Sequence, residues 1–194
     1  MKYTGERVIP KIMNPKNGLL IEHIARYSFA KQFCRGRVLD IACGAGYGSE
    51  ILSEYIGIDY SEESIEYAKN NYSFENTGYY TDNALNEDLY KTYGLFDTVI
   101  SFETIEHFYG DELFVNNLYN LLKPGGILII STPFGKGKNL TCSSPYHVYQ
   151  YTEKEFLEVL NPFSDLKMYH QIGSVIEIPK DNQKYYLMVA ICKK

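Results

Sequence analysis

The feature that most constrains the fold is a glycine-rich segment placed between two short apolar runs. Residues 37–41 (RVLDI) are typical of a buried strand, and residues 43–48 (CGAGYG) follow directly. A second run, residues 55–59 (YIGID), ends in an acid, Asp59. Strand, glycine turn, helix and acid-terminated strand is the order that builds a nucleotide-type site at the carboxyl ends of parallel strands. The glycines let the backbone approach a ligand closely, and Asp59 is suited to accept hydrogen bonds from both hydroxyls of a ribose.

The rest of the chain alternates short apolar runs with amphipathic segments, which predicts an α/β fold with a mostly parallel sheet. Helices are predicted at 18–33, from the glycine segment to about 55, after the cap Ser61, at 111–122, and from the capping box of Thr152 and Glu155 through Leu160. Further strands are predicted at 78–81, 96–102, 127–132, 166–171 and 186–192. Residues 123–126 (KPGG) are predicted to form a turn, and 133–151 a long loop of the kind that often carries function.

Composition places the chain among ordinary globular proteins and restricts its partners. It has 194 residues, 45% of them apolar and 22% charged, which suits one domain with a sizeable core. Nineteen Lys and Arg against 24 Asp and Glu give a net charge of -5, so electrostatically driven binding to nucleic acid is not expected. No run approaches the roughly 20 apolar residues of a membrane span, and the first residues lack the apolar core of a signal peptide. A cytoplasmic protein is therefore predicted, and in such a protein four widely spaced cysteines without a CxxC pair are typical of free thiols.

The spacing of the glycines decides which nucleotide cofactor is expected. A dinucleotide site needs G-x-G-x-x-G, and counting from Gly44 places Ser49 at the third glycine. Residues 38–46 (VLDIACGAG), with Asp40 four positions before Gly44, instead resemble the first motif of class I S-adenosylmethionine-dependent methyltransferases. Ala42 stands where that family usually has its first glycine, and only a slight adjustment of the turn is expected. The resemblance continues in order and spacing through 57–61 (GIDYS), 82–84 (DNA), 96–101 (FDTVIS) and 122–126 (LKPGG).

The resemblance implies a fold and a division of the chain. The fold is a Rossmann-like doubly wound α/β sheet, mostly parallel with an antiparallel final strand, with helices on both faces. One class I methyltransferase domain is expected over residues 1–194. Within it, residues 1–35 would form an N-terminal lid and helix, 36–132 the cofactor-binding core, and 133–194 the acceptor loop and C-terminal strands.

The resemblance also assigns residues to the cofactor, S-adenosylmethionine. Asp40 is expected to anchor the methionine ammonium, directly or through water, Asp59 to bind the ribose diol, and Asp82 to bind the adenine amino group. Tyr60 would flank the adenine and Phe102 would lie beneath the methyl donor, although both rings would serve equally well as core packing. The complete expected set is Asp40, Ala42, Gly44, Gly46, Asp59, Tyr60, Asp82, Asn83, Ala84 and Phe102.

Two segments supply candidate catalytic residues for the methyl acceptor. Residues 102–108 (FETIEHF) follow the fourth predicted strand, and residues 145–152 (PYHVYQYT) lie in the long loop and the start of the next helix. Both lie at the carboxyl ends of strands, where an acceptor must meet the cofactor. A hydroxyl acceptor needs a general base or a metal ion to raise its nucleophilicity. We therefore predict one polar cluster beside the transferring methyl, in which Glu103 and Glu106 share a face if their segment is helical. Its members are Glu103, Glu106, His107 and His147.

The sequence leaves two interpretations of this cluster open. Two carboxylates and two imidazoles suit a divalent metal such as Mg²⁺ or Mn²⁺, with all four residues as candidate ligands. The pattern resembles metal-dependent 2′-O-methyltransferases of small-RNA 3′ ends, and its first half resembles ubiquinone-pathway O-methyltransferases. Without a metal, His107 or His147 would be the general base, and Glu103 would support the cofactor loop. His23 and His170 are expected to be ordinary surface or core histidines.

The first part of the chain narrows the acceptor class. Residues 3–7 (YTGER) and 21–27 (IEHIARY) resemble the opening of small bacterial methyltransferases of surface-polysaccharide and glycan pathways. The resemblance implies O-methylation of a sugar or another small polyol, with a small-molecule or glycan acceptor as the partner. The alternatives are an RNA-terminal 2′-O-methyltransferase and a non-catalytic S-adenosylmethionine-binding protein. The acidic balance counts against the first alternative, and the intact Glu and His residues count against the second.

Overall fold

One mixed sheet of eight strands organises the structure, a computed structural model that describes residues 7–142 and 144–194. The strands are β1 (Val38–Ile41), β2 (Tyr55–Asp59), β3 (Thr77–Thr81), β4 (Phe96–Phe102), β5 (Leu122–Pro133), β6 (Ser164–Ile172), β7 (Val175–Glu177) and β8 (Leu187–Lys193). The α-helices are α1 (Gly18–Lys31), α2 (Glu62–Tyr72), α3 (Leu89–Tyr93), α4 (Asp111–Leu121) and α5 (Glu153–Val159). Two short 3₁₀ helices cover Tyr47–Glu50 and Ile105–His107. The order of the strands across the sheet is β3-β2-β1-β4-β5-β8-β6-β7.

The first five strands are parallel, and the last three run antiparallel to their neighbours. β1 pairs with β2 and β4, β2 pairs with β3, and β4 pairs with β5, all in parallel. β8 lies between β5 and β6 and is antiparallel to both, and β7 forms an antiparallel pair with β6. This topology confirms the predicted Rossmann-like sheet, mostly parallel with an antiparallel final strand.

Each face of the sheet packs against helices. In β1, Leu39 and Ile41 belong to a buried cluster that includes Phe114 of α4 and Phe156 of α5, whereas Val38 belongs to a second cluster. Successive side chains of a strand point to opposite faces, so the sheet separates two apolar layers. Helices on both faces are therefore confirmed. The second cluster receives residues of α1 and α2, namely Leu20, Tyr27, Ala30, Ile65, Ala68 and Tyr72.

Polar side chains determine two of the helix starts that the sequence predicts. Ser61 Oγ accepts a hydrogen bond from Ser64 N at 3.2 Å, and α2 begins at Glu62. Thr152 and Glu155 form a reciprocal capping box, which confirms the predicted start of α5. Each cap provides an acceptor for an amide that would otherwise lack one in the first helical turn.

Some local predictions are wrong because tertiary constraints override the local pattern. The glycine segment continues into a single 3₁₀ turn and not into a helix up to residue 55, because few residues remain before β2 begins and a full crossover helix needs more. Residues 123–126 do not leave the sheet as a turn. In the pairing of β4 with β5, Phe96 lies opposite Leu122 and Thr98 lies opposite Ile127, so the register shifts across residues 123–126. Gly125 N donates a hydrogen bond to Lys194 O. Lys194, the residue that follows β8, therefore holds residues 123–126 within β5. The short elements α3 and β7 have no clear hydrophobic period, and they were not predicted.

The carboxyl ends of β1, β2, β4 and β5 meet at one edge of the sheet. Chain order reverses there, since β2 lies on one side of β1 and β4 on the other. Ligands of open α/β sheets bind at such a topological switch point. None of the helices in the described ranges is long and apolar enough to cross a lipid bilayer.

Candidate active site

Two adjoining cavities lie at the switch point of the sheet. The first, of about 310 Å³, lies between α1 and the glycine turn, and we call it the α1 cavity. The second, of about 410 Å³, lies beyond the ends of β2 and β3, and we call it the β3 cavity. Ala42, Glu103 and His107 contribute to the walls of both. The shared wall residues make the two spaces neighbours, so one elongated ligand of two parts can occupy both.

The glycine turn between β1 and the first 3₁₀ helix has left-handed backbone at three positions. The φ angles are 61° at Ala42, 54° at Gly44 and 82° at Gly46. A Cβ on Gly46 would lie 2.5 Å from the Cβ of Ala68, so a larger residue does not fit, whereas a Cβ on Gly44 would meet nothing within 4 Å. Gly44 therefore presents bare backbone to the α1 cavity that it lines. Ala42 adopts the left-handed conformation despite its Cβ, at a cost of about 1–2 kcal/mol.

Asp40 lies buried beneath this turn, and two tyrosines hold it. Its Oδ2 accepts hydrogen bonds from the hydroxyls of Tyr27 at 2.7 Å and Tyr55 at 2.5 Å. Its Oδ1 is buried and has no hydrogen-bond partner within the described part of the chain. Burial raises the pKa of Asp40 to about 7, although both hydrogen bonds oppose that shift. Tyr27 also lines the α1 cavity, whereas Asp40 lies behind the wall of that cavity.

Asp59 ends β2 in the wall of the β3 cavity, and backbone amides hold its carboxylate. Gly44 N donates to Oδ2 and Ser61 N donates to Oδ1, each at 2.9 Å. Burial raises the pKa of Asp59 above its ordinary value, and the two amide hydrogen bonds oppose the shift. One carboxylate therefore links the glycine turn after β1 to the start of α2.

The far end of the β3 cavity is formed by the residues that follow β2 and β3. Tyr60 is 79% exposed while lining this cavity, so its ring is not part of the core. Asp82 Oδ2 accepts from the Tyr93 hydroxyl at 2.9 Å, and Asn83 N donates to Asp82 Oδ1 at 2.7 Å. Tyr93 belongs to α3, which the sequence did not predict. The residues around this end are Tyr60, Asp82, Asn83, Ala84 and Leu85.

Phe102 and Glu103 stand where β4 ends. Phe102 is 7% exposed, lines the α1 cavity and packs its ring edge-to-face with Tyr27 at 5.1 Å between centroids, so it is both core and cavity wall. Glu103 has a left-handed φ of 51°, and helical backbone begins only at Ile105. The segment is therefore not helical at Glu103, and the condition under which Glu103 and Glu106 would share a helical face is not met. The Ser131 hydroxyl donates to Glu103 Oε1 at 2.7 Å and holds that carboxylate toward β5.

Three of the four predicted cluster residues come together beside the α1 cavity. Ligand-type atoms of Glu106, His107 and His147 all lie within 4.8 Å of one another, and Glu103 is not part of this group. Glu106 is 1% exposed, and its Oε2 accepts from the Thr132 hydroxyl at 2.9 Å. Its Oε1 lies 3.9 Å from His107 Nε2 and has no hydrogen-bond partner among the described residues. Burial raises the pKa of Glu106 well above its ordinary value, and the nearby Glu103 carboxylate adds to the shift.

Backbone hydrogen bonds bring the long loop across to this cluster. The amides of Val148 and Tyr149 donate to the carbonyl of Glu106 at 2.9 and 3.1 Å. His107 Nδ1 lies 3.1 Å from the Tyr146 carbonyl, which can only accept, so Nδ1 carries a proton and, in the neutral ring, Nε2 has the lone pair. The rings of His107 and His147 are nearly perpendicular, with 4.8 Å between centroids. The loop therefore sets both the position of His147 and the tautomer of His107.

Sequence reasoning missed one histidine of the site and placed another correctly. His23 of α1 lines the α1 cavity, with its Nδ1 3.0 Å from the Tyr47 hydroxyl. Burial holds the pKa of His23 well below its ordinary value, and the nearby Arg26 guanidinium adds to the effect. His170 is buried against Phe134 outside both cavities, as expected of a core histidine. The hydroxyls of Ser131 and Thr132, which donate hydrogen bonds to the carboxyl groups of Glu103 and Glu106, were also missed. Their signal in the sequence is a Ser131-Thr132 pair that ends an apolar strand.

A family model for the methyltransferase domain matches residues 32–190. The chain belongs to this methyltransferase family. The matched range includes the glycine turn, the acid ends of the strands, and the cluster at Glu106. It also includes the motifs that resemble those of class I S-adenosylmethionine-dependent methyltransferases.

Relatives of this methyltransferase carry the same general description. A probable S-adenosylmethionine-dependent methyltransferase of Mycolicibacterium smegmatis is 30% identical over 168 residues, which cover 81% of this chain and 62% of that protein. The mitochondrial ubiquinone biosynthesis O-methyltransferase of Rattus norvegicus is 35% identical over 104 residues, which cover 50% of this chain and 30% of that protein. The methyltransferase thus spans about three fifths of the length of its mycobacterial relatives.

Solved structures share the fold of this methyltransferase at low sequence identity. An S-adenosylmethionine-dependent methyltransferase from Thermotoga maritima superposes with a TM-score of 0.68 at 17% identity and covers 90% of both chains. Another from Archaeoglobus fulgidus gives 0.67 at 17% identity, covering 92% of this chain and 95% of that chain. At such identities the likeness establishes the architecture alone.

Proposed function

We propose that this methyltransferase transfers a methyl group from S-adenosylmethionine to a hydroxyl of a sugar or another small polyol. The observation that carries the proposal is the group of Glu106, His107 and His147 beside the α1 cavity. A hydroxyl is a weak nucleophile until a base or a metal ion acts on its proton. A site for hydroxyl acceptors therefore needs such a group next to the donor methyl, and this cluster supplies one.

We place the adenosine part of the cofactor in the β3 cavity. Asp59 would bind the ribose hydroxyls, and it is suited to do so because two backbone amides already hold its carboxylate. Asp82 would bind the adenine amino group, with Tyr60, Asn83 and Ala84 around the ring. When bound, S-adenosylmethionine supplies a sulfonium methyl with a good leaving group, so the task of the protein is mainly to position the two reactants.

We place the methionine part in the α1 cavity, along the turn of Ala42, Gly44 and Gly46 and above Phe102. Asp40 would anchor the ammonium group, directly or through water. The residues fit this role, because Oδ1 of Asp40 is buried without a partner among the described residues. A nearby cation would also keep this carboxylate ionised despite its burial.

In the absence of a metal, His107 is the proposed general base. Its Nδ1–H is held by the Tyr146 carbonyl, so its Nε2 can take the hydroxyl proton as the oxygen attacks the methyl carbon. The carboxyl of Glu106 lies 3.9 Å from that nitrogen and would stabilise the imidazolium. His147 would orient the acceptor, and Glu103 would support the cofactor loop from its hydrogen bond with Ser131.

The same group of residues fits a divalent metal ion. Oε1 of Glu106 is buried without a hydrogen-bond partner in the described ranges, and His107 has the tautomer that leaves Nε2 available as a ligand. Two imidazoles and one carboxylate favour Mn²⁺ over Mg²⁺, which prefers oxygen ligands. Glu103 would not be a ligand in this arrangement, because its carboxylate lies outside the group. When bound, such an ion would lower the pKa of an acceptor hydroxyl.

The choice of acceptor class has further support. The ubiquinone biosynthesis enzymes that match half of this chain are themselves O-methyltransferases by name. The sequence near the N-terminus resembles glycan-pathway enzymes, which favours a sugar hydroxyl. The net charge of -5 counts against an RNA acceptor.

We also propose that residues 1–194 form one cytoplasmic domain whose three segments have different roles. Residues 1–35 would cover the α1 cavity, 36–132 would hold the cofactor, and 133–194 would present the acceptor loop. Residues 3–6 of the N-terminal segment lie outside the described residues. Arg7 and Val8, which follow them, line the α1 cavity and support the covering role.

A mass-spectrometric screen tests the proposed function. The purified protein would be incubated with methyl-labelled S-adenosylmethionine and a panel of nucleotide sugars, free polyols, phenols and short RNAs. We expect the labelled methyl on a hydroxyl of a sugar or polyol. Labelling of a phenol or an RNA terminus alone would replace the polyol as acceptor. Normal cofactor binding without any transfer would favour the non-catalytic alternative.

Histidine variants and metal removal then separate the two versions of the cluster. His107→Ala should reduce turnover by about 10²–10⁴-fold if His107 is the base. His170→Asn is the matched control, since His170 lies outside both cavities, and it should keep full turnover. Activity that is lost with EDTA and restored by Mn²⁺ or Mg²⁺ would support the metal. Full activity in both His107→Ala and His147→Ala would exclude both versions.

A further inference from the structure

The α1 cavity has an unbalanced set of charges for an amino-acid ligand. Its wall contains the carboxyl groups of Glu103 and Glu106. Arg7 is the single Lys or Arg among the described residues that line it. His23 adds no positive charge at neutral pH, because burial holds its pKa well below the ordinary value. Among the described residues of this wall, Arg7 is therefore the one that can give an anionic group a full opposite charge.

The position of Arg7 beside the cavity is set by the fold. Val8 is buried and Ile9 is fully buried, so the backbone next to Arg7 is packed into the core. Arg7 Nη1 donates to Glu63 Oε2 at 3.0 Å, in the first turn of α2. Lys11 Nζ donates to a backbone carbonyl near the end of α2 at 2.7 Å. The segment from Arg7 to Lys11, here called the N-terminal strap, therefore runs along α2 and places the Arg7 guanidinium at the cavity wall.

We propose that Arg7 binds the carboxylate of the methionine part of S-adenosylmethionine. The inference rests on the proposed placement of that part in the α1 cavity. The amino-acid end of the cofactor carries an ammonium and a carboxylate on one carbon, and a wall with carboxyl groups alone would leave the carboxylate without a partner. A guanidinium has five N–H donors in a planar fork that matches a carboxylate. It can therefore bind Glu63 and the ligand carboxylate together.

Arg26 is the other guanidinium near this cavity, and it is placed for a different role. Its side chain is buried behind the wall, and its Nη1 donates to Gln171 Oε1 at 2.8 Å. Its positive charge lowers the pKa of both Glu106 and His23, although for Glu106 the effect of burial is larger and the pKa is raised. A direct hydrogen bond with a ligand in the cavity needs a donor on the wall, and Arg7 supplies one.

A rival role for Arg7 is to stabilise the ionised form of Asp59, whose pKa it lowers. A pair of ligands separates the two roles, since S-adenosylmethionine and its decarboxylated analogue differ only in the carboxylate. Calorimetry on the wild-type chain should show about tenfold or more weaker binding of the analogue. Arg7→Ala should weaken binding of S-adenosylmethionine by a similar factor and leave the affinity for the analogue nearly unchanged. Arg7→Lys should give an intermediate affinity, because an ammonium keeps the charge without the fork.

Lys11→Ala is the matched control, since it removes a cation and an anchor from the same strap but nothing from the cavity wall. It should bind both ligands like the wild type. An equal loss of both ligands in Arg7→Ala would overturn the proposal and assign Arg7 to Asp59 or to the strap. Unchanged affinity for S-adenosylmethionine in Arg7→Ala would also overturn it. A wild-type chain that binds neither ligand would contradict the proposed cofactor placement itself, which is a different outcome.

Discussion

The two sides of the joined cavities differ in how far apart their residues lie along the chain. The side proposed to hold the adenosine part of the cofactor, here called the cofactor side, draws on the ends of β1, β2 and β3, from Ala42 to Asp82. The part of the α1 cavity proposed to meet the methyl acceptor, here called the acceptor side, brings together His23 of α1, Glu106 after β4 and His147 of the long loop. Consecutive βα units therefore build the first side, whereas contacts between distant segments build the second.

The two sides also differ in what holds their carboxylates. Backbone amides of Gly44 and Ser61 hold Asp59, and both lie in turns that directly adjoin its strand or the neighbouring one. A side-chain hydroxyl from β5 holds Glu106, and loop amides bond to its carbonyl. We therefore expect the cofactor side to keep its affinity when acceptor residues change. The acceptor side should depend on the loop and on β5.

The largest expected effect is on the cofactor side, at Asp59. Asp59→Ala removes the proposed hydrogen bonds to the ribose and the acceptor of the Gly44 amide, so the affinity for S-adenosylhomocysteine should fall by about tenfold or more. Isothermal calorimetry measures the change. Asp88→Ala is the control, since Asp88 is a surface acid paired with Lys91. Unchanged affinity in Asp59→Ala would show that this acid does not bind the ribose.

The next effect concerns the buried acid of the cofactor side. The pKa of Asp40 is raised to about 7 in the folded chain, above the value near 4 of an unfolded chain. Between these two pKa values the Asp40 carboxyl is ionised in the unfolded chain and still protonated in the folded chain. Asp40 therefore makes the free energy of unfolding decrease as pH rises from about 4 to about 7, by at most about 1.4 kcal/mol per pH unit.

Urea unfolding at several pH values checks this prediction. Asp40→Asn should flatten the decrease across that pH range, because the amide does not titrate. An unchanged slope in the Asn variant would show that Asp40 is not the titrating group. Binding of S-adenosylhomocysteine near pH 6 should release a proton if its ammonium pairs with Asp40, and calorimetry in buffers of different ionisation enthalpy measures that release.

A smaller effect is expected at the turn itself. Ala42→Gly removes the cost of about 1–2 kcal/mol that a left-handed φ imposes on a residue with a Cβ. It also raises the conformational entropy of the unfolded chain, which lowers the free energy of unfolding by about 0.4–1 kcal/mol. We therefore expect a net gain in the free energy of unfolding of up to about 1.6 kcal/mol, measured as a higher urea midpoint. Ala45→Gly is the control and should destabilise, because Ala45 is buried and is not among the residues with positive φ. A loss of stability in Ala42→Gly would mean that the turn is not strained.

The smallest expected effect tests the independence of the two sides. His147→Ala should leave the affinity for S-adenosylhomocysteine within about twofold of the wild type, a change of less than about 0.5 kcal/mol. The same calorimetry as for Asp59→Ala gives the comparison. A tenfold loss in His147→Ala would break the distinction and make the loop part of the cofactor site.

Much of the cofactor side could be predicted from the sequence because its signals are local. The glycine turn, the acid that ends β2 and the Ser61 cap are contiguous patterns, and parallel strands bring their carboxyl ends to one edge. The strand ranges 55–59 and 96–102 agree with the structure for the same reason. The helix predicted after the glycine turn failed because the length of the crossover, and not the local pattern, limits it.

The acceptor side shows where local patterns are insufficient. The residue types of the cluster could be recognised, but the backbone turns left-handed at Glu103, which removes that carboxylate from the group. The tautomer of His107 depends on Tyr146, 39 residues further along the chain. His23 lines the cavity because α1 packs over β1, where Tyr27 donates a hydrogen bond to Asp40. The spacing of residues within α1 does not predict this contact.

The amino-acid sequence was thus sufficient for the class of sheet, the order of the cofactor motifs and the family. Those depend on period, turn chemistry and short-range order along the chain. Folding alone decided which carboxylates are buried, which hydroxyls hold them, and which histidines share the cavity. These properties depend on desolvation and on hydrogen bonds between segments that are far apart in the chain, and only the packed structure brings such segments together.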